Sequence, residues 1–287
     1  MKFISYRHGG RDTFGMIVGN GVVDLQAHFA GRYETLRDTI AAGALSDRAG
    51  LAGKPAELPL TEVVLLPPIP DPGKIIGIGR NYANHAAESG SPPPENPSFF
   101  VRFTNSLTAH DAGMIRPRIS SHFDYEGELA VVIGKRGRHV SKNDALDHVF
   151  GYSCFNDGSI RDIQFKHSLA AGKNFISTGG FGPWIVSADE IPDPSALELR
   201  TRINGETLQA APTADLIFDV PTLIQYLSEL TELAPGDVIA TGTPEGVGFA
   251  RKPPRWLVPG DVVEVECSSV GVLRNRVVDE DSTDAAA

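Results

Sequence analysis

The segment Asp124-Tyr-Glu126-Gly-Glu128-Leu-Ala-Val-Val-Ile133 sets two glutamates one residue apart, directly ahead of an apolar run. If it is a strand, Glu126 and Glu128 project from the same face, because side chains alternate with a period of two. Like charges so placed repel each other, and a divalent cation would remove that cost. Taken alone, the segment also reads as a solvated acidic strand end. Asp157 adds a third carboxylate after the apolar run Phe150-Gly-Tyr-Ser-Cys-Phe155, where an aspartate can also be only a turn former. Three carboxylates are hard oxygen ligands, suited to Mg²⁺ or Mn²⁺, or to Ca²⁺ in a crystal, and not to a thiolate-seeking metal. Against one dication they leave a net negative charge. An anionic substrate would then need positive side chains nearby, and Arg161 and Lys173 are the candidates.

A second constellation lies at Asn81-Tyr82-Ala-Asn-His85-Ala-Ala-Glu88. On a helix, His85 and Glu88 are neighbours at i, i+3. A carboxylate beside an imidazole orients it and stabilises its protonated form, which is how a general base is built. The spacing also fits a solvated histidine on a surface helix. Gly90 and Ser91-Pro-Pro-Pro94 would end that helix and let it act as a lid. The run Thr241-Gly242-Thr243-Pro-Glu-Gly-Val-Gly248 would let backbone N–H groups approach a ligand, or form a plain turn. Gly77-Ile-Gly79 starts like a dinucleotide fingerprint, but Tyr82 stands where its third glycine should be. No P-loop, HExxH or Gly-x-Ser-x-Gly elbow is present.

The elements that must hold these residues read as follows. A chain of 287 residues suggests one main domain with a small appended one. With 30 glycines and 21 prolines the composition favours strand and loop over a helix bundle. Gly15–Val18 and Val22–Leu25 flank Asn20-Gly21, a hairpin signal, and residues 31–50 read as a weak helix. The Pro-rich stretch Pro67–Gly73 marks the boundary between a unit at 1–70 and one at 71–280, with a disordered tail at 281–287. Strands are expected at Lys74–Ile78, Ser98–Phe103, Glu128–Ile133, Leu199–Ile203 (running into the turn Asn204-Gly205), Val262–Cys267 and Leu273–Val278. Helices are expected at Asn81–Ser89, Lys142–Val149 and Pro221–Leu233, the last stopped by Pro235-Gly236. This is a β-rich α+β pattern. A net charge of −10 argues against a nucleic-acid partner. The run Lys135–Arg138 reads as a solvated turn. Cys154 and Cys267 form no CxxC pair, and Cys154 reads as a buried thiol rather than a nucleophile. No apolar run approaches the ~20 residues of a membrane span and the N-terminus has no leader-like apolar segment, so the cytoplasm is the default compartment.

Together these segments resemble the fumarylacetoacetate hydrolase family. The likeness is carried by Gly79-Arg80-Asn81-Tyr82-Ala-Asn-His85, Asp124–Gly134, Asn156-Asp157-Gly-Ser-Ile-Arg161-Asp-Ile-Gln164, Gly172-Lys173-Asn-Phe175 and Ala240–Gly248, with Pro259–Glu266 and Leu273–Val277 also fitting; it spans about residues 74–278. It implies a mixed β-roll catalytic fold behind a small N-terminal α/β domain, and a homodimer. Glu126, Glu128 and Asp157 match the metal-binding carboxylates, and Lys173 the active-site lysine. Arg161 and Gln164 match polar groups facing the substrate, with Tyr82 beside them, and Gly242 and Thr243 the loop that closes on it. His85 and Glu88 look like a water-activating dyad. The implied reaction is metal-dependent cleavage of a carbon–carbon bond in a small anionic β-diketo acid such as an acylpyruvate or fumarylpyruvate, as in the catabolism of aromatic compounds. His85 would activate water, and Lys173 and Gln164 would stabilise the oxyanion. An oxaloacetate-type decarboxylase, or a hydratase or isomerase of unsaturated keto acids, could use the same metal, and a non-catalytic binder is a further alternative. The stretch Phe165–Gly172, short and with no aromatic after Phe165, leaves the substrate open.

Overall fold

A computed structural model describes residues 1–90 and 92–283. Its spine is a 12-stranded sheet. Across it run Leu58–Pro59, Gly21–Asp24, Arg11–Val18, Lys2–His8, Gly179–Ser187, Val149–Asp157, Gly127–Ile133, Val238–Ala240, Ile75–Gly79 and Ser98–Arg102. Val64–Leu65 and Leu107–Thr108 pair beside this path. A five-stranded sheet holds Glu206–Pro212, Glu198–Ile203, Val262–Cys267, Gly271–Asp279 and Gly113–Arg116. The fold is thus mixed and strand-rich, as expected.

Both central strands, Gly127–Ile133 and Val149–Asp157, are buried along their whole length, so they read as apolar runs rather than as alternations. On one face Leu129, Val131, Tyr152 and Cys154 pack against the five-stranded sheet and Leu223, Ile224 and Leu227 of the helix Val220–Leu230. On the other, Ala130, Val132, Phe150 and Phe155 join Phe3, Phe14, Leu36 and Phe181. The boundary stretch at 67–73 therefore separates sequence segments whose strands share one sheet and one core: Lys2 pairs with Val186 and Phe3 with Ile185. The two cysteines are free and buried.

Several local expectations shift for physical reasons. Val18 pairs with Gly21, so the first hairpin turns on Gly19-Asn20, one residue earlier than expected. The weak helix at 31–50 is two short ones, Leu36–Ala41 and Arg48–Ala52. Lys142–His148 is 3₁₀ rather than α. The long helix ends at Leu230, not Leu233. Thr231 turns extended, and fully buried Leu233 pairs instead with Gly137. Arg138 donates to the carbonyls of Ser228 and Glu229, so the basic run caps a helix C-terminus, where cations offset the unpaired carbonyls. A short helical turn, Glu280–Thr283, runs into the tail expected at 281–287, and 284–287 lie outside the described residues. Among the described residues no helix is long and apolar enough to cross a membrane.

Candidate active site

Strand polarity gathers the candidate residues at one edge. Gly127–Ile133 runs antiparallel to both Val149–Asp157 and Val238–Ala240, and Val238–Ala240 runs parallel to Ile75–Gly79. The start of the first strand therefore meets the ends of the other three, where Asp157, the Thr241–Gly248 loop and the helix Ala83–Glu88 emerge. Gly127 pairs with Asn156, and the Asp157 N–H donates to the Glu126 carbonyl at 2.7 Å, so Glu126 and Asp157 face each other across the pair. Glu128 lies on the same face one pleat along. Each of the three offers an oxygen within 4.8 Å of the others, and all are buried. Gly127 between them cannot carry a side chain, since a Cβ would lie 2.0 Å from the Thr201 hydroxyl of the second sheet.

The three carboxylates are not equivalent. Glu126 is gripped by Lys173 Nζ at 2.5 Å and Arg161 Nη2 at 2.5 Å. Burial alone would push its pKa up, but these two cations outweigh burial and hold it far below the carboxylate range. Asp157 accepts from Lys173 at 2.6 Å and from Arg102, itself fully buried. Glu128 accepts only the Gly242 N–H, at 2.8 Å, and among the described residues it has no ion-pair partner. Burial, reinforced by the charges of Asp157 and Glu126, pushes its pKa well up. Asp124, Glu126, Glu128 and Asp157 face Arg102, Arg161 and Lys173, all buried, which leaves one negative charge uncompensated. An anionic oxygen cluster short of one cation, with Glu128 as its unpaired member, fits a hard divalent metal.

A cavity of about 230 Å³ opens over the cluster. Glu126, Glu128, Arg161, Gln164, Lys173, Thr243 and His85 line it together with Arg80, Phe100 and Phe249. His85 sits on the helix Ala83–Glu88 with Nδ1 2.8 Å from Glu88 Oε1, so the dyad forms as the spacing suggests and Nε2 is the remaining ring nitrogen. Glu88 Oε2 also accepts the Gly246 N–H at 2.9 Å, which ties helix to loop.

Three expected roles look different in place. Lys173 spends its donors on Glu126, the Asp157 carboxylate and the Asp157 carbonyl, so it clamps the carboxylates rather than pointing an N–H at substrate. Tyr82 is off the cavity wall: at the N-cap of its helix it bridges Leu216 and packs on Ala211. Gly242 reaches Glu128 through its N–H and does not line the cavity. Its φ is +106°, and a Cβ there would lie 2.7 Å from Asn81 Cβ. Gly242→Ala is therefore expected to cost more than about 1 kcal/mol of stability, lowering Tm by several degrees in a thermal melt, and to weaken divalent-metal binding because the backbone shift that relieves the clash displaces the N–H that orients Glu128.

The sequence reading passed over Arg102, Asp124 and Gln209. Asp124 continues the alternation of Glu126 and Glu128, accepts Arg161 Nε at 2.8 Å and takes the Gly248 N–H at 2.7 Å. Gln209 accepts the Gly127 N–H and donates to Thr243 Oγ1 and the Pro244 carbonyl, tying strand to loop. Arg161 Nη1 donates to Gln164 Oε1 at 3.0 Å; the Gln164 amide nitrogen has no partner among the described residues.

A model of the fumarylacetoacetate (FAA) hydrolase C-terminal domain matches residues 74–278. The chain belongs to the fumarylacetoacetate hydrolase family. It is 45% identical over 223 residues to oxaloacetate tautomerase YisK of Bacillus subtilis, covering 76% of this chain and 74% of that one. To the mitochondrial oxaloacetate tautomerase FAHD2A of Homo sapiens it is 37% identical over 288 residues, covering 97% and 92%. The structure of maleylpyruvate hydrolase from Sphingobium sp. SYK-6, in complex with manganese(II) and pyruvate, superposes with a TM-score of 0.80 at 31% identity, covering 97% and 99%. Membership of the fumarylacetoacetate hydrolase family makes the chain an enzyme of this superfamily, and the carboxylate cluster together with the manganese in that neighbour supports a divalent-metal site.

Proposed function

We propose that this chain interconverts the enol and keto forms of a small 2-oxo dicarboxylic acid of the oxaloacetate type. The observation that carries this reading is the His85–Glu88 pair on the wall of the same small cavity as the carboxylate cluster. Glu126, Glu128 and Asp157 would hold Mg²⁺ or Mn²⁺, which when bound supplies a Lewis acid that stabilises enolate charge. With Glu88 ionised, the Nδ1 proton stays against the carboxylate and Nε2 carries the lone pair. Nε2 takes the proton from the enol oxygen or from the carbon beside the ketone, and the resulting imidazolium, stabilised by Glu88, returns it at the other position. Arg161 and Lys173 keep Glu126 ionised, Gln164 turns its free amide N–H toward the substrate oxygens, and Phe100 and Phe249 limit the water in the cavity. The relatives named as oxaloacetate tautomerases are more alike in sequence than the hydrolase neighbour is, which supports this reading over the hydrolysis expected from the sequence.

Hydrolysis of an acylpyruvate is the second reading, favoured by the maleylpyruvate hydrolase likeness. The same Nε2 would then deprotonate water. We place the chain in the cytoplasm as a homodimer. The test adds the protein with Mg²⁺ to freshly dissolved enol oxaloacetate and follows enol absorbance, with deuterium uptake at C3 read by NMR. Decay and exchange faster than with Mg²⁺ alone are expected. No acceleration, alongside cleavage of maleylpyruvate or fumarylpyruvate, would replace the first reading with the second; release of CO₂ would indicate decarboxylation.

A further inference from the structure

The cations of the cavity divide into two kinds. Arg161 is ion-paired by Asp124 and Glu126 and also bonds Gln164, and Lys173 is ion-paired by Glu126 and Asp157. Arg80 also lines the cavity, is half-buried, and among the described residues its guanidinium has neither hydrogen bond nor ion pair. Its backbone is unusual as well: φ is +56°, in the left-handed region that a side chain with a Cβ seldom occupies. The position lies between the strand Ile75–Gly79 and the helix of the His85–Glu88 dyad. Asn81 fixes the turn from the other side, with its amide bonded to the carbonyls of Phe218 and Thr241. A strained residue held by its surroundings, with an unpaired charge on a cavity wall, is a candidate for contact with ligand.

We infer that Arg80 is a specificity-determining residue that pairs with the distal carboxylate of the substrate and so selects 2-oxo diacids over 2-oxo acids with an uncharged tail. The inference rests on the reading of the cavity as a 2-oxo acid site and deepens it. The carboxylate cluster can accommodate only the end of the substrate that meets the metal. A second carboxylate, brought into a half-enclosed cavity beside buried carboxylates, needs its own cation, and among the described residues Arg80 is the cavity-lining arginine or lysine with no ion-pair partner. A planar guanidinium suits such a contact because it can bind a carboxylate through two parallel N–H bonds.

The test measures binding by calorimetry to the Mg²⁺-loaded protein, with two probes. Oxalate carries only the head of a 2-oxo acid, while 2-oxoglutarate carries a head and a distal carboxylate. Arg80→Gln is expected to weaken 2-oxoglutarate by roughly 10- to 100-fold and leave oxalate within about twofold, with Arg80→Lys recovering part of the loss. In turnover, Arg80→Gln is expected to raise KM for oxaloacetate far more than it lowers kcat, and to leave acetylpyruvate, which lacks the second carboxylate, unaffected. Equal weakening of both probes, or of neither, overturns the assignment of Arg80. If the wild type turns over no 2-oxo acid, the functional reading fails, and the ratio between the two probes still decides whether Arg80 reads a distal carboxylate.

Discussion

Glu128→Gln is expected to abolish Mn²⁺ binding and lower turnover by about 10³-fold or more, while making the metal-free protein more stable at neutral pH. A metal stabilising developing enolate charge is worth several kcal/mol, and each 1.36 kcal/mol is about tenfold in rate. The opposite effect on stability follows from the environment of Glu128. It is buried beside two other carboxylates and meets only one N–H, so its folded pKa lies well above the ordinary 4.5. A carboxyl raised in this way contributes stability that is present below about 4.5 and is lost as pH rises through its folded value. The stability difference between Glu128→Gln and wild type should therefore open in favour of the variant as pH increases, and close or reverse in saturating Mg²⁺, which only the wild type binds. Glu126, one pleat away, carries the opposite sign. Its pKa is depressed despite burial by Arg161 and Lys173, so its contribution is present above the ordinary carboxylate pKa and is lost as pH falls through its folded value. Glu126→Gln should destabilise the metal-free protein by leaving Arg161 and Lys173 short of a partner. Thermal melts at acid and neutral pH with and without Mg²⁺, beside a calorimetric titration with Mn²⁺, check both signs. Unchanged Mn²⁺ affinity in Glu128→Gln would refute the assignment of the metal site.

The contrast between the two glutamates shows where the sequence stops. That Glu126 and Glu128 share a face is legible from a period of two, and Asp157 could be added because it ends another apolar run. Which of them lacks a cation was not legible. The deciding partners lie far away in sequence: Arg102 is 55 residues from Asp157, and Arg161 is 35 from Glu126. An arginine ending the apolar strand Ser98–Arg102 carries no local mark of being buried. Asp124 did carry one, the continued alternation ahead of Glu126. Tyr82 misled in the other direction. It sits within the motif that supplies His85, but the N-cap geometry turns it toward Leu216. The same limit appears in the fold. Local hairpins and the helix Val220–Leu230 could be read from turn residues and periodicity, whereas the pairing of Lys2–His8 with Gly179–Ser187 leaves no local signature.

His85→Ala is expected to lower kcat for tautomerisation by about 10²–10⁴-fold, the range that a positioned acid–base group contributes, with Mn²⁺ affinity and Tm near wild type. No hydrogen bond joins the imidazole to Glu126, Glu128 or Asp157, so its removal leaves their clamps from Arg102, Arg161 and Lys173 in place. Glu88→Gln is the sharper companion. Its amide can still accept the Gly246 N–H through oxygen, but it presents an NH₂ donor to His85 Nδ1 in place of a carboxylate. That contact moves the lone pair to Nδ1 and the proton to Nε2, so the ring meets the cavity as a donor instead of a base. Fixing the wrong tautomer of a carboxylate-held imidazole can cost as much as about 10⁴-fold in rate. Glu88→Gln should therefore lose activity out of proportion to its small change in shape, with its Tm little altered. Deuterium uptake at C3 of oxaloacetate separates the possible chemistries in the same variants. Tautomerisation and hydrolysis both need Nε2 as a base and should collapse together, whereas metal-assisted decarboxylation needs no base and should persist. Full exchange in His85→Ala would mean that the proton is carried by another group and that the dyad serves only to hold the helix Ala83–Glu88 against the Thr241–Gly248 loop.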